Sequence, residues 1–274
     1  VIGGWVSLAL ASAVLHAVWN AGIKRSEDKA ACAAGVVAVA ASVSGVAATW
    51  SAGLPRAALP ATFASGLVEA AYFVTLSAAL TAAPLKTAYP LIRGGGQLLA
   101  WPFAIFGLGE AVSSFHFAAG AVLAAGLGLG AAELPDRRGL TWVILCAVTI
   151  GMYPLTYKVA LDAGASASAL FAASMLISWP LQVAALGSGA GARLAASWRR
   201  ERQVWLWAGV MCAASFLLFL GALQGGGAAR ASALRNVSVL VAWGLGVASG
   251  EGMSRRGAWG AAFVFAGASA VAWD

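Results

Sequence analysis

The sequence predicts an all-α integral membrane protein of about ten transmembrane helices, built as two inverted five-helix repeats around a central cavity. Three observations point there. Apolar residues make up 61% of the 274-residue chain and charged residues 10%, where a soluble domain has roughly 45–50% and about 25%. Charges are missing over residues 30–55, 139–157, 163–192 and 203–229, and each gap holds the roughly 20-residue helix that crosses a hydrocarbon core. The second half of the chain also repeats motifs of the first.

Inside lipid every backbone N–H and C=O needs a partner within the protein, so spans are helices unless a barrel closes. These Ala-, Gly- and Leu-rich runs lack the alternation a barrel strand requires. The first five spans fall near residues 3–23, 30–52, 61–82, 84–108 and 115–132. The second five fall near residues 140–161, 165–186, 204–225, 228–249 and 256–272. The first span carries His16, Trp19 and Asn20, which reads as part of the mature fold and not as a signal peptide. The 34 glycines suit close helix packing. Cys32, Cys146 and Cys212 fall within spans and are expected as buried, reduced thiols.

Residues 13–24 align without gaps on residues 147–158, matching Trp19 to Tyr153 and Lys24 to Lys158. Gly109-Glu110 corresponds to Gly250-Glu251, and Ile92-Arg93 to Leu234-Arg235. The units are therefore residues 1–135 and 136–274, and because five spans is an odd number the second unit is inverted. Inversion collects Lys24, Arg25 and Lys29 with Arg193, Arg199, Arg200 and Arg202 on one face, where Arg137, Arg138, Arg255 and Arg256 also fall. By the positive-inside rule that face is cytoplasmic, which puts both termini in the periplasm of a bacterial inner membrane. The net charge of +7 is thus spent on orientation, and no nucleic-acid motif accompanies it.

Polar and ionisable side chains within spans are the candidates for function, because lipid does not tolerate them. On the fourth span Lys86, Tyr89, Arg93, Gln97 and Trp101 recur at helical spacing along one side. Arg93 offers a fixed positive charge for a carboxylate or phosphate, and Tyr89 and Trp101 offer aromatic walls. The alternative is that Arg93 pairs with Glu69 or snorkels to the surface. Glu69 shares its face with Tyr72 and is read as a site for a substrate amine, a coupling proton or a salt bridge. His16, Trp19 and Asn20 on the first span answer Thr149, Tyr153 and Tyr157 on the sixth. His16 and Lys158 are further coupling or charge-pair candidates, as is Arg235. Ser174, Ser178 and Trp179 mark the seventh span, and Asn236 and Trp243 the ninth. Pro90, Gly94, Pro154 and Pro180 are hinge candidates against the plainer reading of packing bends. Glu110 and Glu251 are expected to cap the following helix or pin a tight loop. Trp50, Trp142, Trp198, Trp205 and Trp273 are expected as interfacial anchors.

The stretch Leu15-His16-Ala17-Val18-Trp19-Asn20 with Lys24-Arg25, the run Tyr89-Pro90-Leu91-Ile92-Arg93-Gly94, and the two Gly-Glu pairs together resemble the drug/metabolite transporter superfamily, in its EamA-like ten-helix branch. The resemblance covers nearly the whole chain. It implies a basket of two inverted repeats and alternating access for small metabolites, often by export, with amino-acid exporters of the YddG type as the nearest functional analogy. Amino acids, aromatic or otherwise apolar, are the expected cargo, and nucleotide-sugar, phosphate-ester or lipid-headgroup solutes the alternative. A membrane enzyme is disfavoured, since no His-Glu-x-x-His, Gly-x-Ser-x-Gly or phosphate-loop motif occurs. The expected partners are a small solute and the bilayer, with no cofactor, metal or nucleic acid, and the chain is expected to work as a monomer.

Overall fold

Short polar residues start four of the helices. Asp28 accepts from the Ala31 amide and Asp136 from the Gly139 amide, while Ser166 and Ser254 do the same for Ala169 and Gly257. The computed structural model describes residues 3–130, 134–248 and 254–273, with Leu85, Lys86 and residues 245–248 described by backbone alone. The helices are α1 (Gly4–Arg25), α2 (Lys29–Ala48), α3 (Leu59–Ala82), α4 (Leu85–Leu108), α5 (Ser114–Gly130), α6 (Arg137–Asp162), α7 (Ala167–Ala185), α8 (Ala190–Arg235), α9 (Ser238–Ala248) and α10 (Arg255–Ala272). A 3-10 turn at Arg56–Ala58 leads into α3, and there is no strand among the described residues.

Six helical stretches among the described residues are long and apolar enough to cross a membrane: Gly4–Arg25, Lys29–Ala48, Arg56–Ala82, Arg137–Asp162, Ala167–Ala185 and Ala190–Gly244. The distribution of polarity is that of a protein solvated by lipid. Phe106, Leu98, Leu176 and Phe265 are exposed, while His16, Asn20, Glu69, Arg93, Gln97, Arg235 and Asn236 are buried. Cys32, Cys146 and Cys212 are buried free thiols.

The expected eighth and ninth spans are joined differently. α8 runs for 46 residues and starts at Ala190, so the basic segment with Arg193, Arg199 and Arg200 is helical rather than a loop. Its backbone leaves helical geometry at Glu201 and at Gly227, where φ is 73° and ψ 170°. Gly227 alone can take that left-handed turn cheaply, and the break falls between the two expected spans. Arg235 and Asn236, expected mid-helix, instead sit at the end of α8 and in the turn before α9.

The two halves interleave. α1 packs along α8, α2 along α7 and α8, α3 against α6 and α7, α4 against α6 and α5, and α5 against α10. Glycine permits the closest approaches. A Cβ on Gly96 would lie 2.5 Å from Ile150 Cγ2, and one on Gly126 would lie 2.7 Å from the Val264 amide nitrogen. α4 passes through Pro90 and Gly94 as one continuous helix, and α6 and α7 likewise contain Pro154 and Pro180. Gly94, Gly95 and Gly96 meet α5 and α6 side chains, so close packing is what they visibly provide.

One end of the bundle is basic and tied together. Lys24 Nζ donates to the Leu80 carbonyl at 2.6 Å and the Ala83 carbonyl at 3.0 Å. Arg193 grips the Asp28 carboxylate through Nε (2.7 Å) and Nη2 (2.8 Å), and Arg200 pairs with Glu27. The turn between α1 and α2 is thereby joined to the start of α8. Asp28 is held below the ordinary aspartate range, first by the Arg193 bonds and then by the Ala31 amide, against the opposing effect of burial.

Among the expected interfacial tryptophans, Trp50 and Trp273 are 81% and 74% exposed. Trp205 is a correction: its indole is buried against Gly35, and its Nε1 donates to Ser197 Oγ at 3.0 Å. The absence of a side chain at Gly35 creates the slot that draws it inward.

Candidate functional site

The fold brings side chains from α1, α3, α4, α6 and the end of α8 to one buried centre. Arg235 is its hub. Nη1 donates to the Tyr153 hydroxyl at 2.7 Å, and Nη2 donates to His16 Nδ1 at 3.0 Å and Ser215 Oγ at 3.2 Å. The guanidinium also lies 4.2 Å from the Phe219 ring centroid and 4.4 Å from that of Phe216. A guanidinium only donates, so His16 Nδ1 is the acceptor and the ring proton sits on Nε2. Ser12 and Ser215 exchange hydroxyl-to-carbonyl bonds of 2.7 and 2.9 Å, which seam α1 to α8 at the same level.

Arg93 lies beside this hub without being saturated. Its guanidinium is 5.3 Å from the Tyr89 ring centroid, and Tyr89 donates to Ser238 Oγ at 3.1 Å. Arg93 Nε and Nη2 are buried and have no hydrogen-bond partner among the described residues. Those two nitrogens form the side-on edge of the guanidinium, the edge that fits a carboxylate with two parallel bonds. Gln97 accepts from Asn236 Nδ2 at 2.8 Å, and its own amide nitrogen is unpartnered. A cavity of about 10 Å³ touches Arg93, Gln97, Tyr153, Arg235 and Asn236, with Pro154 in its wall. That volume suits about one water molecule.

A larger cavity of about 510 Å³ opens between α2, α3, α6 and α7 at the basic end. Phe73, Ser77, Trp142, Arg138 and Gln182 line it. Phe73 stands between this vestibule and the centre, its ring 5.0 Å from Tyr72 and 5.7 Å from Trp19 between centroids. Trp19 in turn meets the His16 ring edge-on at 4.8 Å. Tyr72, Tyr153 and Tyr157 continue the aromatic wall with centroid spacings of 5.8 and 6.1 Å.

The alternative reading, an ion pair between Arg93 and Glu69, is not what forms. Glu69 is fully buried on α3, and no cation lies within 4.0 Å of its carboxyl among the described residues. Tyr157 of α6 adjoins it, but neither group completes a well-formed hydrogen bond. Arg235 of α8 is the cation whose charge reaches Glu69, from beyond ion-pair distance.

Several expected site residues lie elsewhere. Trp101 packs against Gly120 of α5, and Trp243 against Gly130 of the same helix. Both glycines leave room for an indole, so these tryptophans turn away from the centre. Trp179 is 40% exposed and faces outward. Lys158 forms an ion pair with Asp162 one turn along α6 at 2.5 Å. Glu110 caps a helix, as expected, but not the one that follows it: Oε1 accepts from the Ala228 amide at 2.6 Å and Oε2 from the Ala229 amide at 3.0 Å. Left-handed Gly109 turns the chain so that this carboxylate crosses to the break in α8. The Lys86 side chain and Glu251 lie outside the described residues.

Ser12, Ser215, Phe216, Phe219 and Ser238 belong to the centre but carried no signal in the sequence. Phe216 and Phe219 sit in an apolar span whose lipid-facing residues look the same.

No family model matches the chain, and no curated protein sequence matches it. Its fold is similar to that of a solved structure described only as a crystal structure of a protein, with a TM-score of 0.73 over 99% of each chain. The two are 17% identical, a likeness of fold alone.

Proposed function

We propose that the chain is a secondary transporter of small metabolites in a bacterial inner membrane, formed by ten helices in two inverted repeats that alternate access to the centre. The observation that supports this best is the unsatisfied Nε/Nη2 edge of Arg93, buried at a water-sized cavity and separated by aromatic rings from a 510 Å³ vestibule. A guanidinium edge that meets no well-formed acceptor among the described residues suits a solute carboxylate, and the Tyr72, Tyr153 and Tyr157 wall suits an aromatic or other apolar side chain. Amino acids combine the two, with export as the direction. The centre as it stands has no room for a solute, so loading requires α4, α6 and the end of α8 to part. Pro154 and the Gly227 break are the candidates to absorb that movement, together with Pro90, Gly94 and Pro180. The basic end faces the cytoplasm in this reading, and the chain works as a monomer.

Counterflow in proteoliposomes with a panel of labelled amino acids tests the proposal. Wild-type protein should exchange at least one carboxylate-bearing solute, and Arg93→Gln should lose that exchange while eluting as a folded monomer. Unchanged exchange in Arg93→Gln would remove Arg93 from the pathway. Two buried guanidiniums without a carboxylate partner among the described residues also favour a second reading, a phosphate-ester carrier; phosphorylated solutes that compete better than amino acids would establish it.

A further inference from the structure

Glu69 lies one turn along α3 from Phe73, the residue at the inner end of the vestibule. Both of its carboxyl oxygens are buried and complete no well-formed hydrogen bond among the described residues, and the same holds for the Tyr157 hydroxyl and Ser174 Oγ, although Tyr157 lies in looser reach of Glu69 and Ser174 of Tyr157. From Ser174 a polar line continues up one face of α7 at helical spacing, through Ser178 to Gln182. All three are buried, Gln182 Nε2 donates to Ser178 Oγ at 2.8 Å, and the Gln182 side chain borders the vestibule. Polar side chains thus run from the vestibule to a carboxyl group that has no ion-pair partner among the described residues.

The surroundings narrow what this carboxyl holds. The titratable and charged groups facing Glu69 are Tyr157 on α6 and Cys212 and Arg235 on α8, with His16 of α1 and Arg93 of α4 across the centre. α7 contributes hydroxyls and an amide only, and Lys29 and Cys32 of α2 lie at the basic end. No cation lies within ion-pair distance of it among the described residues. A lone carboxylate at this depth is costly, whereas the neutral acid is not. Glu69 borders neither the vestibule nor the 10 Å³ central cavity. A proton needs no volume and fits where a solute ammonium does not.

We propose that Glu69 is a proton-exchange site, loaded from the vestibule along the Gln182–Ser178–Ser174–Tyr157 line, and that its proton moves as part of the solute cycle; the second half rests on the transport reading above. On release the Tyr157, Ser174 and Ser178 hydroxyls turn to donate to one another towards the vestibule, with Gln182 holding Ser178; the carboxyl O–H bond breaks, each hydroxyl takes up one proton and passes on its own, a vestibule water takes the last, and the carboxylate remains. That carboxylate attracts Arg235, whose bonds to His16, Tyr153 and Ser215 tie α1, α6 and α8 together. Proton loss therefore pulls on the contacts that close the centre, which gives the proton a means of coupling to opening.

Infrared spectroscopy of the reconstituted protein and proton flux in the same vesicles test the two halves separately. The wild type should show a protonated-carboxyl stretch that is absent in Glu69→Gln, and that exchanges with D2O more slowly in Ser178→Ala and Tyr157→Phe. A band that survives in Glu69→Gln, or exchange unaffected by both line variants, overturns the site. With a transported solute in hand, a pH-sensitive dye should report proton movement on solute addition, and Glu69→Gln should carry no proton with whatever solute it still moves. Solute flux with no proton movement in the wild type overturns the coupling. Should no solute move at all, the transport reading falls and the infrared band still decides the proton site.

Discussion

Arg235 and His16 are joined by a 3.0 Å bond from Nη2 to Nδ1 between the end of α8 and the middle of α1. The bond fixes the imidazole as a neutral acceptor with its proton on Nε2, because the guanidinium has no lone pair to offer. It also ties a helix of the first half to one of the second at the buried centre.

Removing the hub should destabilise the fold. Arg235→Ala leaves His16 Nδ1, Tyr153 Oη and Ser215 Oγ without their donor and two phenylalanine faces without their cation. The expected loss is on the order of 3 kcal/mol, with Arg235→Lys recovering only part because one ammonium does not span three acceptors. Thermal denaturation of the detergent-solubilised protein reads this directly, and equal midpoints for wild type and Arg235→Ala would contradict it.

At the basic end, Asp28 both caps α2 through the Ala31 amide (3.1 Å) and binds Arg193. Asp28→Asn keeps the cap and loses a partly exposed ion pair, a cost of about 0.5 kcal/mol; Asp28→Ala loses the cap as well, about 1 kcal/mol more. The carboxyl is depressed below its ordinary 3.8. Its contribution is therefore complete above that value and fades as pH falls through the lower, folded-state one. Melting temperatures recorded on either side of that value should show the acid loss in wild type and its reduction in Asp28→Asn.

The Glu110 carboxylate and the Gly227 break form one device. Glu110→Ala exposes two helix-start amides and should cost about 1–2 kcal/mol. Gly227→Ala places a Cβ 3.0 Å from Glu110 Oε2 in a left-handed backbone and should cost a similar amount, about 1–2 kcal/mol. Since both act on the same turn, the double variant should be less destabilised than the sum. Strict additivity in a double-mutant cycle would show that they act independently.

Bromine-labelled lipid should quench the outward tryptophans and spare the inner ones. Trp179 is 40% exposed, whereas Trp19 is fully buried. Trp179→Phe should therefore reduce the quenchable fraction of fluorescence, and Trp19→Phe should reduce only the unquenchable fraction. The reverse pattern would place the seventh helix the other way round.

Much of the architecture was legible because lipid imposes a simple rule. Charge-free runs of the right length are helical, and most expected spans recur as helices with ends shifted by a few residues, as with 30–52 against Lys29–Ala48, whereas the eighth and ninth are redrawn as Ala190–Arg235 and Ser238–Ala248. The rule also singled out the residues lipid would reject, and His16, Glu69, Arg93, Gln97, Arg235 and Asn236 are all buried. It failed where a side chain satisfies either environment. Trp101, Trp179 and Trp243 look alike in the sequence, yet two pack on α5 glycines and one faces outward, because an indole is content against lipid or protein.

Residue chemistry alone thus determined the helical class, most of the helices and the list of buried polar groups, since each follows from the cost of polarity in hydrocarbon. Pairing was decided only by tertiary structure. Which cation meets which acceptor depends on helix register and on the close approaches that glycine permits, and no spacing within one helix encodes them. That is why Arg235 holds His16 and Tyr153, Arg93 keeps an open edge, Glu69 stands unpaired behind Tyr157, and Glu110 closes on a helix more than a hundred residues away.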